Sequence, residues 1–133
     1  MLLLRHRYPA TAESLPLARK AVARCAGELG DGDSVAEAIT LAVSEACSNV
    51  IVHAYRDRTR AGEMTVSLER SEDCLRVYVA DDGIGMAPRL DSPGLGLGSP
   101  LISQLTDGFE LRSRPEGGTE LCMRFTRSGE PAA

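Results

Sequence analysis

Apolar and polar residues alternate along this chain with two periods, and the switches between them mark out its elements. Leu2 to Tyr8 suits a first strand. Ser14 is placed to cap a helix running to about Glu28, with Pro16 tolerated in its first turn. Leu17, Ala21, Val22 and Ala26 fall on one face of that helix. Gly30-Asp31-Gly32-Asp33 reads as a turn. Ser34 followed by Glu37 forms a capping box and opens a second helix that continues to Tyr55. After a charged loop from Arg56 to Gly62, the period drops to two. Met64, Val66 and Leu68 alternate with polar neighbours, as do Leu75, Val77 and Val79, around a turn at Ser71-Glu72-Asp73. These are the two half-buried strands of a hairpin. Asp81 to Gly98, rich in Gly and Pro, is expected to be irregular. Ser99-Pro100 starts a third helix carrying Leu101, Ile102 and Leu105. Phe109 to Arg114 and Thr119 to Arg127 close the pattern as strands around Pro115-Glu116-Gly117-Gly118.

Strands joined by tight turns predict a mixed, mostly antiparallel sheet. Three helices on one face of it make an α+β fold, a two-layer α/β sandwich. A length of 133 residues predicts one domain spanning 1–133.

The second helix is apolar on almost every side, yet Glu45, Asn49 and His53 recur at intervals of four. Residues so spaced stand one above another on a helix, about 5–6 Å apart at Cβ. A carboxylate on a buried helix is costly unless something pairs with it. Either Glu45 and Asn49 face a pocket, or the fold supplies partners. His53 has a simpler explanation, since the helix dipole favours a histidine near a C-terminus.

Charge and composition narrow the possibilities. The net charge of −4 argues against a nucleic-acid binder. No run is expected to reach transmembrane length, and Met1 to Arg5 lacks the form of a signal peptide. The expectation is therefore a cytoplasmic protein with no membrane partner. Cys25, Cys47, Cys74 and Cys122 are scattered without a CxxC pair, as buried thiols would be and zinc or redox sites would not. The single lysine, Lys20, follows no glycine at Walker spacing, which excludes a P-loop.

Two further clusters join the polar line. Asp81-Asp82-Gly83-Ile84-Gly85-Met86 places a carboxylate at a strand end, followed by glycines that leave room for a flat ring. An ionised Asp accepts hydrogen bonds from an amino group such as that of adenine, and Met86 offers a polarizable contact. Asp82-Gly83 alone is also an ordinary turn. Gly94-Leu95-Gly96-Leu97-Gly98 leads into a helix start, where close backbone approach and free N–H groups suit phosphate. Alone, such a run is more often a flexible surface loop. Asn49 has the oxygen that Mg²⁺ prefers, and Glu45 could serve as a general base. A paired surface Glu would account for Glu45 without chemistry.

Taken in order, the helix carboxylate and amide, the strand-end D-x-G-x-G, the glycine loop before a helix and Gly118-Thr119 before a strand resemble the GHKL ATPase superfamily. Ser44-Glu45-Ala46-Cys47-Ser48-Asn49-Val50-Ile51-Val52-His53-Ala54-Tyr55 is most similar to the anti-sigma-factor serine kinases of the RsbW and SpoIIAB type. The resemblance runs from the first strand to Phe125 and implies a Bergerat-type ATP-binding fold. It implies ATP and Mg²⁺ as cofactors, with Asn49 holding the metal and Glu45 the catalytic base. Asp81 would bind the adenine amino group, with Gly83, Gly85 and Met86 shaping the pocket. Gly94, Leu95, Gly96, Leu97 and Gly98 would wrap the phosphates, and Thr119 would sit at the adenine end. The implied activity is serine/threonine kinase and anti-sigma factor, with a sigma factor and a STAS-type anti-anti-sigma protein as partners and a homodimer as assembly. An ATP-binding interaction module without phosphotransfer is the alternative.

Overall fold

The computed structural model describes residues 1–54, 62–83 and 101–127. They form β1 (Leu2–Pro9), α1 (Ser14–Glu28), α2 (Asp33–Asn49) with a π-helical turn at Val50–Ala54, β2 (Glu63–Arg70), β3 (Cys74–Asp81), α3 (Leu101–Leu105), β4 (Gly108–Ser113) and β5 (Thr119–Thr126). The sheet order is β1-β2-β3-β5-β4. Each neighbouring pair is antiparallel, so the sheet is more uniform than the mixed one expected. The α+β, two-layer reading holds, with α2 packed on β3 and β5, α1 on β1 and α2, and α3 on β4 and α2.

Period two decides which side of the sheet is buried. Val66, Val79 and Leu121 share one row across β2, β3 and β5, and Leu68, Val77 and Met123 share the next. All six are fully buried under the helices. Their neighbours Ser67, Tyr78 and Arg76 point to the other face and keep some exposure. A one-residue slip would turn every one of these rows over, so the register is firmly specified.

Both helix starts differ from the sequence expectation. Ser14 lies inside α1 rather than capping it, and Glu13 stands at the cap without a side-chain hydrogen bond. The entry is a tight turn, in which the N–H groups of Ser14 and Leu15 donate to the carbonyls of Thr11 and Ala12 at 3.0 and 3.2 Å. The buried face is Ser14, Ala18, Val22 and Ala26, a clean i+4 row of small side chains. Leu17, expected inside, is 58% exposed. The small residues let α1 and α2 approach closely, which outweighs burying one Leu.

For α2, the cap is Gly32 at φ 103°, and no capping box forms at Ser34 and Glu37. Gly32 takes the left-handed backbone and offers its carbonyl to the N–H of Ala36 at 3.1 Å. Asp33 then enters the first turn, where the helix dipole favours a negative charge.

Asp33–His53 together make 21 residues with a mean hydropathy of 1.5 in their most apolar stretch. Length and composition therefore do reach those of a membrane span, against the expectation that no run would. One face of the helix lies in the core, with Ile39, Ala42, Val43, Ala46, Cys47 and Val50 at 0% exposure, while Leu41 and Val52 stay 52% and 58% exposed. The four cysteines are free thiols. Burial pushes the Cys47 thiol up to about 12, which leaves it inert, as expected of a core residue.

Candidate functional site

Asp81 is the last residue of β3 and falls in the buried row, one step beyond Val79. Alternation alone carries its carboxylate to the helix-covered side. It is fully buried. Its Oδ1 accepts the Gly83 N–H at 2.9 Å, a local turn that fixes the carboxylate plane. Its Oδ2 has no hydrogen-bond partner among the described residues. Burial pushes the carboxyl up from 3.8 to about 6. The Gly83 N–H pulls it back and the Asp82 charge raises it, while Arg114 and the Thr119 N–H pull it down less strongly. Near neutral pH the group is largely ionised, and an unsatisfied buried acceptor costs about 1–3 kcal/mol.

The strand end is held from three sides. Met64 of β2 and Thr119 of β5 flank Asp81 in the ladder. Thr119 is itself buried. The turn before β5 supplies the third contact. There Arg114 Nη1 donates to the Asp81 carbonyl at 3.0 Å, and Nη2 reaches Glu116 Oε2 at 3.1 Å. Gly118, at φ +94°, lies so close beneath that a Cβ would run into the Asp81 carbonyl oxygen. Only glycine fits there, for both its backbone angle and its space.

Glu45 and Asn49 occupy the last two turns of α2 and are partly buried. Where along the sheet they stand follows from the opposite end of the helix. Asp31, just before α2, pairs with Arg127 just after β5, with Nε–Oδ2 at 3.2 Å and Nη2–Oδ1 at 3.3 Å. Arg127 also donates to the Ser71 carbonyl at 3.4 Å, at the β2–β3 turn. So α2 starts beside the Cys74 end of β3. Its 17 residues then advance about 25 Å, close to the length of an eight-residue strand. A helix of that length running along β3 brings its Asn49 end toward the end of the sheet that carries Asp81 and Thr119.

The polar line does not run on to His53. After Asn49 the helix widens into the π-helical turn, and i+4 spacing no longer stacks side chains on one line. His53 is exposed. Asp81, Gly83 and Thr119 share one strand end, Glu45 and Asn49 share the last turns of α2, and His53 lies exposed beyond them. Gly85, Met86, Gly94, Leu95, Gly96, Leu97 and Gly98 lie outside the described residues.

Sequence reasoning placed Gly118 beside Thr119 but assigned Arg114 no part. The paired glycines at 117 and 118, both with positive φ, were the available signal of a close approach. Nothing in the spacing shows what the Arg114 side chain meets, because its partner is 33 residues away. No cluster of three or more His, Cys, Asp or Glu able to hold a metal exists among the described residues.

The chain was compared with known proteins. Residues 8–125 match the histidine kinase-like ATPase domain. The chain is 31% identical to the serine-protein kinase RsbW of Bacillus mycoides (strain KBAB4), over 90% of this chain and 82% of that protein. RsbW of Bacillus cereus (strain ATCC 10987 / NRS 248) matches at the same identity and coverage. Among solved structures, the RsbU and RsbW domains of Rv1364c from Mycobacterium tuberculosis superpose over 93% of this chain, with a TM-score of 0.70 at 20% identity. The histidine kinase domain of the Erythrobacter litoralis EL346 blue-light activated histidine kinase superposes over 90%, with a TM-score of 0.58 at 28% identity. The chain spans 32% of the first of these structures and 62% of the second. Sequence and fold agree, and the chain belongs to the histidine kinase-like ATPase domain family.

Proposed function

We propose that this protein is an ATP-dependent serine/threonine protein kinase acting as an anti-sigma factor, which sequesters a sigma factor and phosphorylates a STAS-type antagonist. The observation that carries the nucleotide part is the buried Asp81, with Oδ1 locked by Gly83 and Oδ2 left without a partner among the described residues. An ionised acceptor in that position suits the amino group of adenine. The relatives named as serine-protein kinases support the kinase part.

In this reading Asp81 selects the base, Gly83 leaves space for the ring and Thr119 lines the same end. Asn49 would hold Mg²⁺ through its amide oxygen, and the ion when bound would neutralise phosphate charge. One amide oxygen suits a cation that keeps several waters and takes further oxygens from phosphates, and it needs no protein carboxylate cage. Glu45, one turn from Asn49, accepts the proton of a seryl or threonyl hydroxyl. The hydroxyl oxygen bonds to the γ-phosphorus as the bond to the β-phosphate bridging oxygen breaks, and ADP leaves. Positioning and electrostatics supply most of the acceleration in such transfer. A cytoplasmic homodimer belongs to the same proposal and is supported by resemblance alone.

The test is incubation of the full chain with labelled ATP, Mg²⁺ and candidate STAS-type proteins. Label on a seryl or threonyl residue of the partner is the expected result, lost in Glu45→Ala. ATP binding without transfer to any partner would leave an interaction module in place of a kinase.

A further inference from the structure

The Arg114 side chain makes a long-range contact with the Asp81 strand end that the proposed chemistry does not use. Its guanidinium bridges two elements. One arm donates to the backbone carbonyl of Asp81, 33 residues away and part-buried, and the other pairs with the exposed Glu116 two residues on. A guanidinium presents its donors in a rigid planar fork, so two anchored arms fix its position. Asp81 is where β3 leaves the ladder, because its Cα partners Met64 and Thr119 are the last on either side. Beyond it the chain is tied by the Gly83 N–H to Asp81 Oδ1, a local bond, and by the Glu63 N–H, 19 residues away in sequence, to Asp82 Oδ1 at 3.1 Å. The turn that carries Arg114 is itself closed, with Arg114 N–H donating to Gly118 and Gly117 N–H to Arg114, both at 3.0 Å. Gly118 then presses against the same Asp81 carbonyl from beneath. Fork and glycine together leave the carbonyl one position.

We infer that Arg114 is a positioning residue for base recognition: it fixes the Asp81 backbone so that the carboxylate meets the amino group of adenine. The inference rests on the reading of Asp81 as the base acceptor. Arg114 itself touches neither base nor phosphate in this role. Its effect is therefore confined to the part of nucleotide affinity that depends on the amino group. A residue that only stabilised the fold would affect every nucleotide alike.

The experiment compares ATP with inosine triphosphate, which carries the same ribose and triphosphate but an oxygen in place of the amino group. Binding of each is titrated with Mg²⁺ on the full chain. Wild type is expected to prefer ATP by about tenfold or more. Arg114→Ala is expected to bind inosine triphosphate within about twofold of wild type and ATP about five- to tenfold more weakly. Arg114→Met, which keeps the aliphatic stem, gives the same pattern should the alanine variant fail to fold. Arg114→Lys, which keeps the charge but not the planar fork, recovers part of the preference. Equal weakening of both nucleotides in the Ala and Met variants, or an unchanged ratio, would overturn the role of Arg114 while wild-type preference kept the Asp81 reading intact. A wild type with no preference for ATP would overturn both.

Discussion

The two carboxylates at the centre of the site are held in opposite ways. Glu45 stands on α2, placed by helix periodicity and flanked by core residues of the same helix. Asp81 stands at a strand end and is held by residues distant in sequence: Met64 and Thr119 in the ladder, Arg114 on its carbonyl and Gly118 beneath it. On this contrast, the helix half of the candidate site is expected to be expendable for folding. The other half is part of how the sheet closes. Substitutions at the strand end should therefore disturb stability and binding together, and those on the helix should disturb chemistry alone.

The strongest way to break that contrast is Gly118→Ala. The new Cβ meets the Asp81 carbonyl, and the residue must also keep a positive φ. We expect a loss of about 3 kcal/mol or more in denaturant unfolding. A loss under about 1 kcal/mol would show that the turn can move away from β3 at little cost.

Asp81→Asn comes next and has the opposite sign for stability. Folding raises the Asp81 carboxyl from 3.8 to about 6, so the native state holds the proton more tightly than the unfolded chain. The stabilising contribution is complete below about pH 4 and is lost as pH rises through about 6. Above that, the ionised buried group is worth about 3 kcal/mol against the fold. Unfolding at pH 4 and pH 7 should show this slope in the wild type and its flattening in Asp81→Asn. That variant should be more stable than wild type at pH 7, yet lose nucleotide binding about a hundredfold or more. Retained ATP affinity would break the assignment of Asp81.

A smaller effect tests the far end of the sheet. Arg127→Ala removes the paired contact to Asp31, whose side chains are 20% and 10% exposed. We expect a cost of about 1–2 kcal/mol. The open pair Arg7–Glu63, with side chains 69% and 58% exposed, should cost under about 0.5 kcal/mol when broken. Equal costs would mean that the Asp31 anchor does not set where α2 begins.

The smallest stability effect is expected from Glu45→Ala, within about 0.5 kcal/mol, alongside loss of phosphotransfer and retention of ATP binding. A large destabilisation would erase the contrast and make Glu45 a structural partner.

Much of this was legible in the chain because short-range rules are written in short-range patterns. The alternation of Met64, Val66 and Leu68 and of Leu75, Val77 and Val79 gave the hairpin and its buried side. The spacing of Glu45 and Asn49 gave their shared face. Capping was read less well. Ser14 and the Ser34–Glu37 box looked competent, but Gly32 and the turn at Thr11 supply the helix starts, and cap residues compete locally by small energies. Leu17 misled for a related reason, because the close α1–α2 packing selects small residues on the facing row.

Periodicity could be read from the chain alone: which residues are strand, which are helix, which side of each is apolar, and which functional residue types recur in a family order. Juxtaposition came only with the folded chain. The register of β3 against β5 sets Asp81 beside Thr119. The Asp31–Arg127 contact spans 96 residues and ties the start of α2 to the far end of the sheet. The π-helical turn breaks the polar line before His53. Arg114 meets Asp81 only because two turns converge. Such contacts depend on the path of the whole chain, and no local pattern of side chains encodes a path.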